Sequence, residues 1–452
     1  MSDRHFSYRS TLSFPAEDVF SWYMRPGALL RLLPPWRKTK ILFHEGGPDE
    51  EGSRVGIQVQ FGGVWWKWIL QHRGLVPGKE FSDCQIRGPF AHYSHRHRVD
   101  PIDSHSCCVM DEITYRPPLN LPIPGIEAEF AKLMRWRHKV LQADLELISR
   151  YQTKPMRILL SGATGLIGRS MEAILGTAGH DTVRLVRNHG AASRHAIHWD
   201  PIRENFTKED FEGFDAVIHL AGENIAAGRW TKKKKDRLFL SRCRDTWLLS
   251  QILSRSERPP KIMICASALG FYGNCGDEEL TEMSPKGEGF LADLCGKWED
   301  ATKAIESRGA RVAHARFGVV LSAAGGMLQK SLLPFKLGLG GRLGRGDQMM
   351  SWIGIDDVIG ALYHVLMTES IQGPVNMTAP MPVSQAEFSC TLARKLGRPM
   401  LLPLPACVLR SLLGEMADEL LLSSSRVVPK RLIETGYVFR YPDLAQALEY
   451  VM

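Results

Sequence analysis

Apolar and polar residues along this chain follow two different rhythms, and the change falls near residue 151. In the first part, "FSYRSTLSF", "RVGIQVQF", "WWKWILQHRG", "EFSDCQIRG", "YSHRHRV" and "CCVMDEITYRP" are short runs punctuated by Gly, Pro and Asp. Runs of this length with a period near two predict an antiparallel sheet, since successive side chains of a strand point to opposite faces. The exception is "EAEFAKLMRWRHKVLQADLELISRY", in which Phe130, Leu133, Met134, Leu141 and Leu145 recur at helical spacing. One long helix packed on the sheet is therefore expected, making residues 1–150 an α+β domain with a concave sheet.

"YQTKP" at 151–155 is a polar break ended by proline. Beyond it, "MRILLSGATGLIGRSMEAILGTAGHDTVRLVRN" reads as a buried strand, a glycine turn, a helix and a second strand, the unit from which parallel sheets are wound. "FDAVIHLAGENIA" adds a further buried strand. The expected architecture is an α/β, Rossmann-type doubly wound parallel sheet over 156–398, closed by a small C-terminal helical module over 399–452.

The glycine turn carries the first chemistry. In "GATGLIG", Gly162 allows a tight turn, Gly165 lets the backbone approach a pyrophosphate, and Gly168 lets helix pack on strand. Thr164, Leu166 and Ile167 complete the cofactor-contacting segment, whose helix N-terminus offers unpaired N–H groups to phosphates. About 20 residues on, an NAD-binding chain places Asp or Glu on the ribose hydroxyl. Here Arg187 holds that place with Arg184 nearby, and a cation suits an added 2′-phosphate, so NADP (NADPH) is expected in preference to NAD. Ala221 and Gly222, ending the next strand, are small enough for the cofactor to lie against the backbone.

Composition narrows the function classes. With 452 residues, 44% hydrophobic and 23% charged, the chain can bury a substantial core. Nine cysteines without a C-x-x-C read as reduced thiols, and neither a signal peptide nor a run of about 18 apolar residues occurs. A cytoplasmic protein without a membrane span is expected. The net charge of +8 is modest at this length, and its densest run, "TKKKKDR" at 231–237, reads as a solvated helix end rather than a nucleic-acid patch.

In "AHYSHRH", strand alternation puts His95 and His97 on one face and His92 on the other. Lacking a neighbouring cysteine or a clear carboxylate partner in the sequence, they read as structural or pocket-lining histidines, and no metal is expected. Trp65, Trp66 and Trp68 fall on both faces of one strand, divided between core and cavity or interface. The segments "FPAEDVFSWYMRPGALLRLLPPW", "FSDCQIRGPFAHYSHRHRV", "DEITYRPPL" and "MRWRHKVLQADL" make this half resemble the START-like (SRPBCC) superfamily. That resemblance implies a helix-grip fold with a cavity for an apolar or amphipathic ligand.

The second half resembles an atypical extended short-chain dehydrogenase/reductase family of epimerase/dehydratase-like proteins. The resemblance rests on "SGATGLIG", "DAVIHLAGENIA", "SALGFYG", "ARFGVVLSAAGGMLQKSLLPFKLGLGGRLGRGDQMMSWIGIDD", "GPVNMTAP" and "LPLPACVLRSLLGEMADELLLSSSRVVPKRLIETGYVF". Typical relatives use a serine with a Tyr-x-x-x-Lys pair, in which the ammonium lowers the phenol pKa so that tyrosine relays a proton while hydride moves. Ser267 fits the serine. With Glu299 as anchor, the tyrosine and lysine positions hold Leu291 and Cys295, so both functional groups are missing. Lys297 lies about 200° around the helix from Cys295 and should face solvent.

The remaining candidates follow from position. Tyr272 in "FYG" is a stand-in proton donor, with a packed loop tyrosine as the alternative. Glu223 is a base if buried, and Asn224 a ligand-orienting amide. Arg342, Arg345, Gln348 and Trp352 lie in a glycine-rich loop suited to an anionic or polyhydroxylated ligand, with a lid lacking any ligand role as the alternative. Gly354 stands where the family more usually has histidine. Two functions fit: an NADP(H)-binding epimerase/reductase-like protein acting on a sugar nucleotide or carbonyl compound, or a non-catalytic dinucleotide-binding regulator or scaffold with an N-terminal hydrophobic-ligand sensor. The family resemblance also allows a homodimer.

Overall fold

The computed structural model describes residues 3–61, 63–151, 154–187, 195–202, 207 and 209–452. The chain divides into two compact units, the first formed by residues up to Gln152 and the second by nearly all the rest.

The first unit is a seven-stranded sheet of β1 (Arg4–Leu12), β2 (Thr39–Glu45), β3 (Arg54–Phe61), β4 (Val64–Val76), β5 (Glu80–Arg87), β6 (His92–Pro101) and β7 (Cys107–Arg116). Its order is β1-β7-β6-β5-β4-β3-β2, antiparallel throughout. Helices α1 (Ala16–Met24) and α2 (Ala28–Arg31) join β1 to β2, and α3 (Ile126–Ser149) follows β7. The predicted alternation holds: Tyr93, His95, His97 and Val99 of β6 and Val109, Asp111, Ile113 and Tyr115 of β7 are all buried. Phe130, Met134, Leu141 and Leu145 form the buried stripe of α3. Asp144 of α3 and Arg31 of α2 make a buried bidentate ion pair, with both N–O distances 2.7 Å. Trp68 packs with Phe90 and Tyr93, whereas Trp65 and Trp66 are exposed.

In the second unit the main sheet comprises β8 (Arg157–Ser161), β9 (Asp181–Val186), β10 (Ala196–His198), β11 (Ala216–His219), β12 (Ile262–Ala268), β14 (Arg311–Phe317) and β18 (Gly373–Met377). Three short pairings accompany it: β13 (Glu279–Leu280) with β20 (Arg426–Val427), β15 (Val319–Leu321) with β17 (Trp352–Gly354), and β16 (Met349–Met350) with β19 (Val383–Ser384). The main order, β10-β9-β8-β11-β12-β14-β18, is parallel at every step. Strand order reverses between β8 and β11, which opens a crevice at their carboxyl ends.

Helix α4 (Leu166–Thr177) follows β8. Between β11 and β12 lie α5 (Lys232–Phe239), a π-helical turn at Leu240–Arg244, and α6 (Asp245–Ser254). Helix α5 starts because Thr231 caps it, its side chain accepting from the Lys234 amide at 3.2 Å. Helix α7 (Phe290–Asp300) buries Leu291, Leu294, Cys295 and Trp298 and leaves Lys297 exposed. The C-terminal module is anchored on the buried Asp357 carboxylate, which accepts from the Tyr437 hydroxyl at 3.1 Å and the amides of Arg440 and Tyr441 at 2.7 and 3.0 Å.

Candidate dinucleotide cleft and adjoining cavity

The glycines of the β8–α4 turn are required by space. Gly162 has φ of 74°, and a Cβ there would stand 2.7 Å from the backbone carbon of Leu220. A Cβ on Gly168 would stand 2.1 Å from the carbonyl oxygen of Gly162. Thr164 and Gly165 form the exposed rim of the turn, with Leu166 and Ile167 half-buried behind it. Ser161 Oγ accepts from the amides of Leu220 and Ala221 at 3.1 and 3.2 Å, which holds the turn against the end of β11. The same hydroxyl meets His219 Nδ1 at 2.7 Å, and His219 Nε2 meets Thr246 Oγ1 at 3.0 Å. Burial pushes His219 down to about 4, so it is neutral here. Trp298 Nε1 also donates to Thr246 Oγ1, at 3.0 Å, which ties α7 into this chain of bonds.

Arg184 of β9 and Arg187 just beyond it have separate fates. Arg184 is paired with Glu172. Arg187 is exposed at the strand end and makes no ion pair among the described residues.

Beyond β11, Glu223 is gripped by Lys234, whose Nζ lies 2.7 Å from Oε1 and also donates to the Asn224 carbonyl at 2.6 Å. Lys234, with Arg237 adding to its effect, holds the Glu223 carboxyl below the ordinary range, so it is an ionised, partnered group. A buried-base role does not fit this geometry. The lysine run needs the same revision: Lys232 and Lys233 are exposed, but Lys234 is only 3% exposed. Asn224 Oδ1 accepts from the Ala226 amide at 3.0 Å, closing its own turn.

Ser267, Arg316 and Asn376 form one row across β12, β14 and β18 by strand register. Ser267 Oγ donates to Glu299 Oε1 at 2.7 Å, and Arg316 makes two bonds of 2.8 Å to the same carboxylate. Arg316 Nη1 also donates to the Tyr272 hydroxyl at 2.9 Å, which in turn donates to Asn376 Oδ1 at 2.7 Å. Tyr272 is fully buried beside Leu269, Leu280 and Val427, and burial raises its pKa. Its phenol is thus engaged on both sides and forms no part of the cavity wall, which is the packed-loop arrangement.

That cavity, of about 1050 Å³, is bounded on one side by Ala268, Leu291, Leu294 and Cys295, where a tyrosine and lysine would stand in typical relatives. Burial drives the Cys295 thiol up to about 12, leaving it protonated. The remaining wall includes Phe317, Met327, Phe335 and Leu404. Among its lining residues Lys330 is the one cation, against the carboxylates of Glu288, Asp418 and Glu419. The glycine-rich loop contributes Leu343, Gln348, Met349 and Met350, but not its arginines. Arg345 is exposed and paired with Asp347, and Arg342 is exposed. Gln348 Nε2 donates to the carbonyls of Leu343 and Leu421 at 3.1 and 3.0 Å, fastening the loop. Trp352 is fully buried, with Nε1 donating to Met381 O at 3.0 Å.

In the first unit, His95 and His97 share a buried face and His92 is outside it, as alternation requires. A carboxylate partner is nevertheless present: cross-strand register sets Asp111 opposite His97. His95 Nε2 and His97 Nδ1 each lie 2.7 Å from Asp111 Oδ1, and His138 Nε2 lies 2.5 Å from Oδ2. His95, His97 and Asp111 have the proximity a metal site needs, while His95 and His138 make direct hydrogen bonds to the Asp111 carboxylate.

A profile of the NAD dependent epimerase/dehydratase family matches residues 158–377, and a profile described as a domain of unknown function, DUF1731, matches 404–451. An epimerase family protein of Mycobacterium bovis is 41% identical over 293 residues, covering 65% of this chain and 96% of that protein. Human epimerase family protein SDR39U1 is 34% identical over 300 residues, 66% of this chain and all of that protein. The crystal structure of the human protein with NADPH superposes with a TM-score of 0.61, covering 66% of this chain and 99% of that one. A structure described as the nucleoside-diphosphate sugar epimerase from Corynebacterium glutamicum has a TM-score of 0.82 at 30% identity, covering 99% of this chain and 90% of that one.

Proposed function

This chain belongs to the NAD-dependent epimerase/dehydratase family, and within it we propose an NADP(H)-binding protein of oxidoreductase type whose second ligand is a small apolar carbonyl compound. The observation that carries this reading is the cavity wall beside Leu291 and Cys295. A nucleoside diphosphate calls for arginine forks or several lysines, whereas this wall offers Lys330 against three carboxylates. Its other side chains are predominantly apolar, which suits a ligand bound by burial and oriented by few polar groups.

The residues present fit a dinucleotide. Gly162 and Gly168 let the turn pack closely on the end of β11 and on α4, the exposed Gly165 leaves the rim of the turn without a side chain, and the start of α4 offers N–H groups to a pyrophosphate. Ala221 and Gly222 flank the same crevice. Arg187 is the group we assign to the 2′-phosphate, which favours NADP over NAD. When bound, the cofactor supplies or accepts a hydride. The chain's own part is to hold the carbonyl compound against Leu291, Leu294 and Phe317, and the proton that joins the oxygen as hydride reaches the carbon comes from solvent.

The test is to titrate NADPH and NADH by nicotinamide fluorescence, then to follow loss of reduced-nicotinamide absorbance with aliphatic and aromatic ketones and aldehydes beside a set of sugar nucleotides. Turnover of an apolar carbonyl is the expected result. Epimerisation or tight binding of a sugar nucleotide overturns the substrate class. NADPH binding with no turnover of any compound favours the regulator.

For the first unit we propose a helix-grip fold that takes an apolar ligand, supported by its strand order and by α3 packing on β1. Mass spectrometry of lipophilic molecules carried by the purified protein tests it.

A further inference from the structure

We propose that Arg242 is a ligand-binding cation of the dinucleotide cleft, gripping the diphosphate and nicotinamide half of the cofactor. This rests on the NADP(H)-binding reading above and adds a residue to it.

Arg242 lies in the π-helical turn between α5 and α6 and is 9% exposed. Its guanidinium carbon lies 5.0 Å from the Trp298 ring centroid, and 3.5 Å from where a Cβ on Gly222 would stand. The charge is therefore set between Gly222, just beyond the end of β11, and the helix whose Cys295 borders the cavity. No ion pair neutralises it among the described residues, and Nη1 is buried without a hydrogen-bond partner. The nearby groups cannot supply one: the Cys295 and Cys243 thiols are pushed up by burial to about 12 and about 11, and Glu223 is already held by Lys234. A buried guanidinium with a free donor is costly unless something anionic or oxygen-rich meets it. Single π turns inside helices commonly mark functional positions, since the added residue re-aims one side chain. Here the re-aimed side chain is the one with the open donor.

Two readings of Arg242 predict opposite signs. If it binds the dinucleotide, Arg242→Met removes an uncompensated buried charge from the free protein. The melting temperature without ligand then holds or rises, while NADPH affinity falls by roughly ten- to a hundredfold. If it only packs on Trp298, the melting temperature falls and NADPH affinity stays unchanged. Adenosine 2′,5′-bisphosphate, which lacks the nicotinamide half, separates the contacts: Arg242→Met leaves its affinity unchanged, and Arg187→Ala weakens both ligands.

Calorimetric titration of the full chain and both variants with NADPH and the bisphosphate decides this. Equal NADPH affinity in wild type and Arg242→Met overturns the inference and leaves the cofactor assignment standing. No NADPH binding by the wild type overturns both. Should Arg242→Met fail to fold, Arg242→Lys serves in its place: retained charge without the fork gives intermediate NADPH affinity, and wild-type affinity counts against a guanidinium contact.

Discussion

The Tyr272 hydroxyl lies 2.7 Å from Oδ1 of Asn376, inside a loop from which solvent is excluded. With Arg316 donating to the hydroxyl oxygen, the phenol already accepts one bond and its proton is committed to Asn376, leaving no proton to offer a ligand. Tyr272→Phe therefore leaves two buried groups unpartnered and should cost about 1–3 kcal/mol of unfolding free energy. Chemical denaturation measures that loss, and NADPH affinity measured in parallel should not change. A drop in turnover larger than any change in stability would return Tyr272 to the chemistry.

Glu299 is the counter-ion of the buried Arg316 and the acceptor for Ser267. Glu299→Gln strips the charge from one side of a partly buried pair, for which a loss of about 3–5 kcal/mol is expected. Ser267→Ala removes only one hydrogen bond, about 1 kcal/mol. The ordering of the two denaturation midpoints checks the assignment.

Gly168→Ala would drive a methyl group to 2.1 Å from the Gly162 carbonyl oxygen, so β8 and α4 must separate. NADPH affinity should fall by at least roughly tenfold, about 1.4 kcal/mol. Circular dichroism of the folded variant, recorded with the binding isotherm, separates a distorted turn from global unfolding.

Arg187→Ala should weaken NADPH roughly tenfold or more and leave NADH unchanged, because only the former carries the 2′-phosphate. The ratio of the two dissociation constants is the readout. Equal losses for both cofactors would move Arg187 away from that phosphate.

The histidine cluster of the first unit predicts a stability maximum in pH. Burial opposes a charge on His97, but Asp111 and Asp83 outweigh it and raise its pKa from 6.5 to about 9. Its contribution is complete below 6.5 and is lost as pH rises through 9. Burial and the neighbouring His97 lower His95 to about 4, so that residue opposes folding as pH falls from 6.5 toward 4. Denaturation of the full chain across this range should show stability falling on both sides. An Asp111→Asn variant should flatten the alkaline limb.

Backbone constraints were legible in the sequence. The spacing of Gly162, Gly165 and Gly168 encodes a turn that needs no knowledge of distant partners, and hydrophobic runs marked the parallel strands on either side. The absence of a tyrosine at 291 and a lysine at 295 was equally a matter of position. Side-chain direction was less readable. Lys234 looks solvated among three other lysines, yet one helical face turns it inward to Glu223. Arg342 and Arg345 sit in an irregular loop whose path, rather than its composition, points them outward. Asp111 is opposite His97 only through the β6–β7 register. The buried Arg242 had one available signal, its place between Leu238 and Cys243 on the apolar side of "RLFLSRCRD".

The π turn at Leu240–Arg244 also limits how relatives of this chain can vary in length. Each residue added to or removed from a helix turns everything downstream by about 100°. Thr246, just beyond that turn, must meet both His219 and Trp298. A one-residue deletion in the turn would carry Thr246 off both partners and swing Arg242 away from Gly222. Insertions and deletions should therefore accumulate in the exposed loops of this protein and be purged here, even where substitutions within the turn are tolerated.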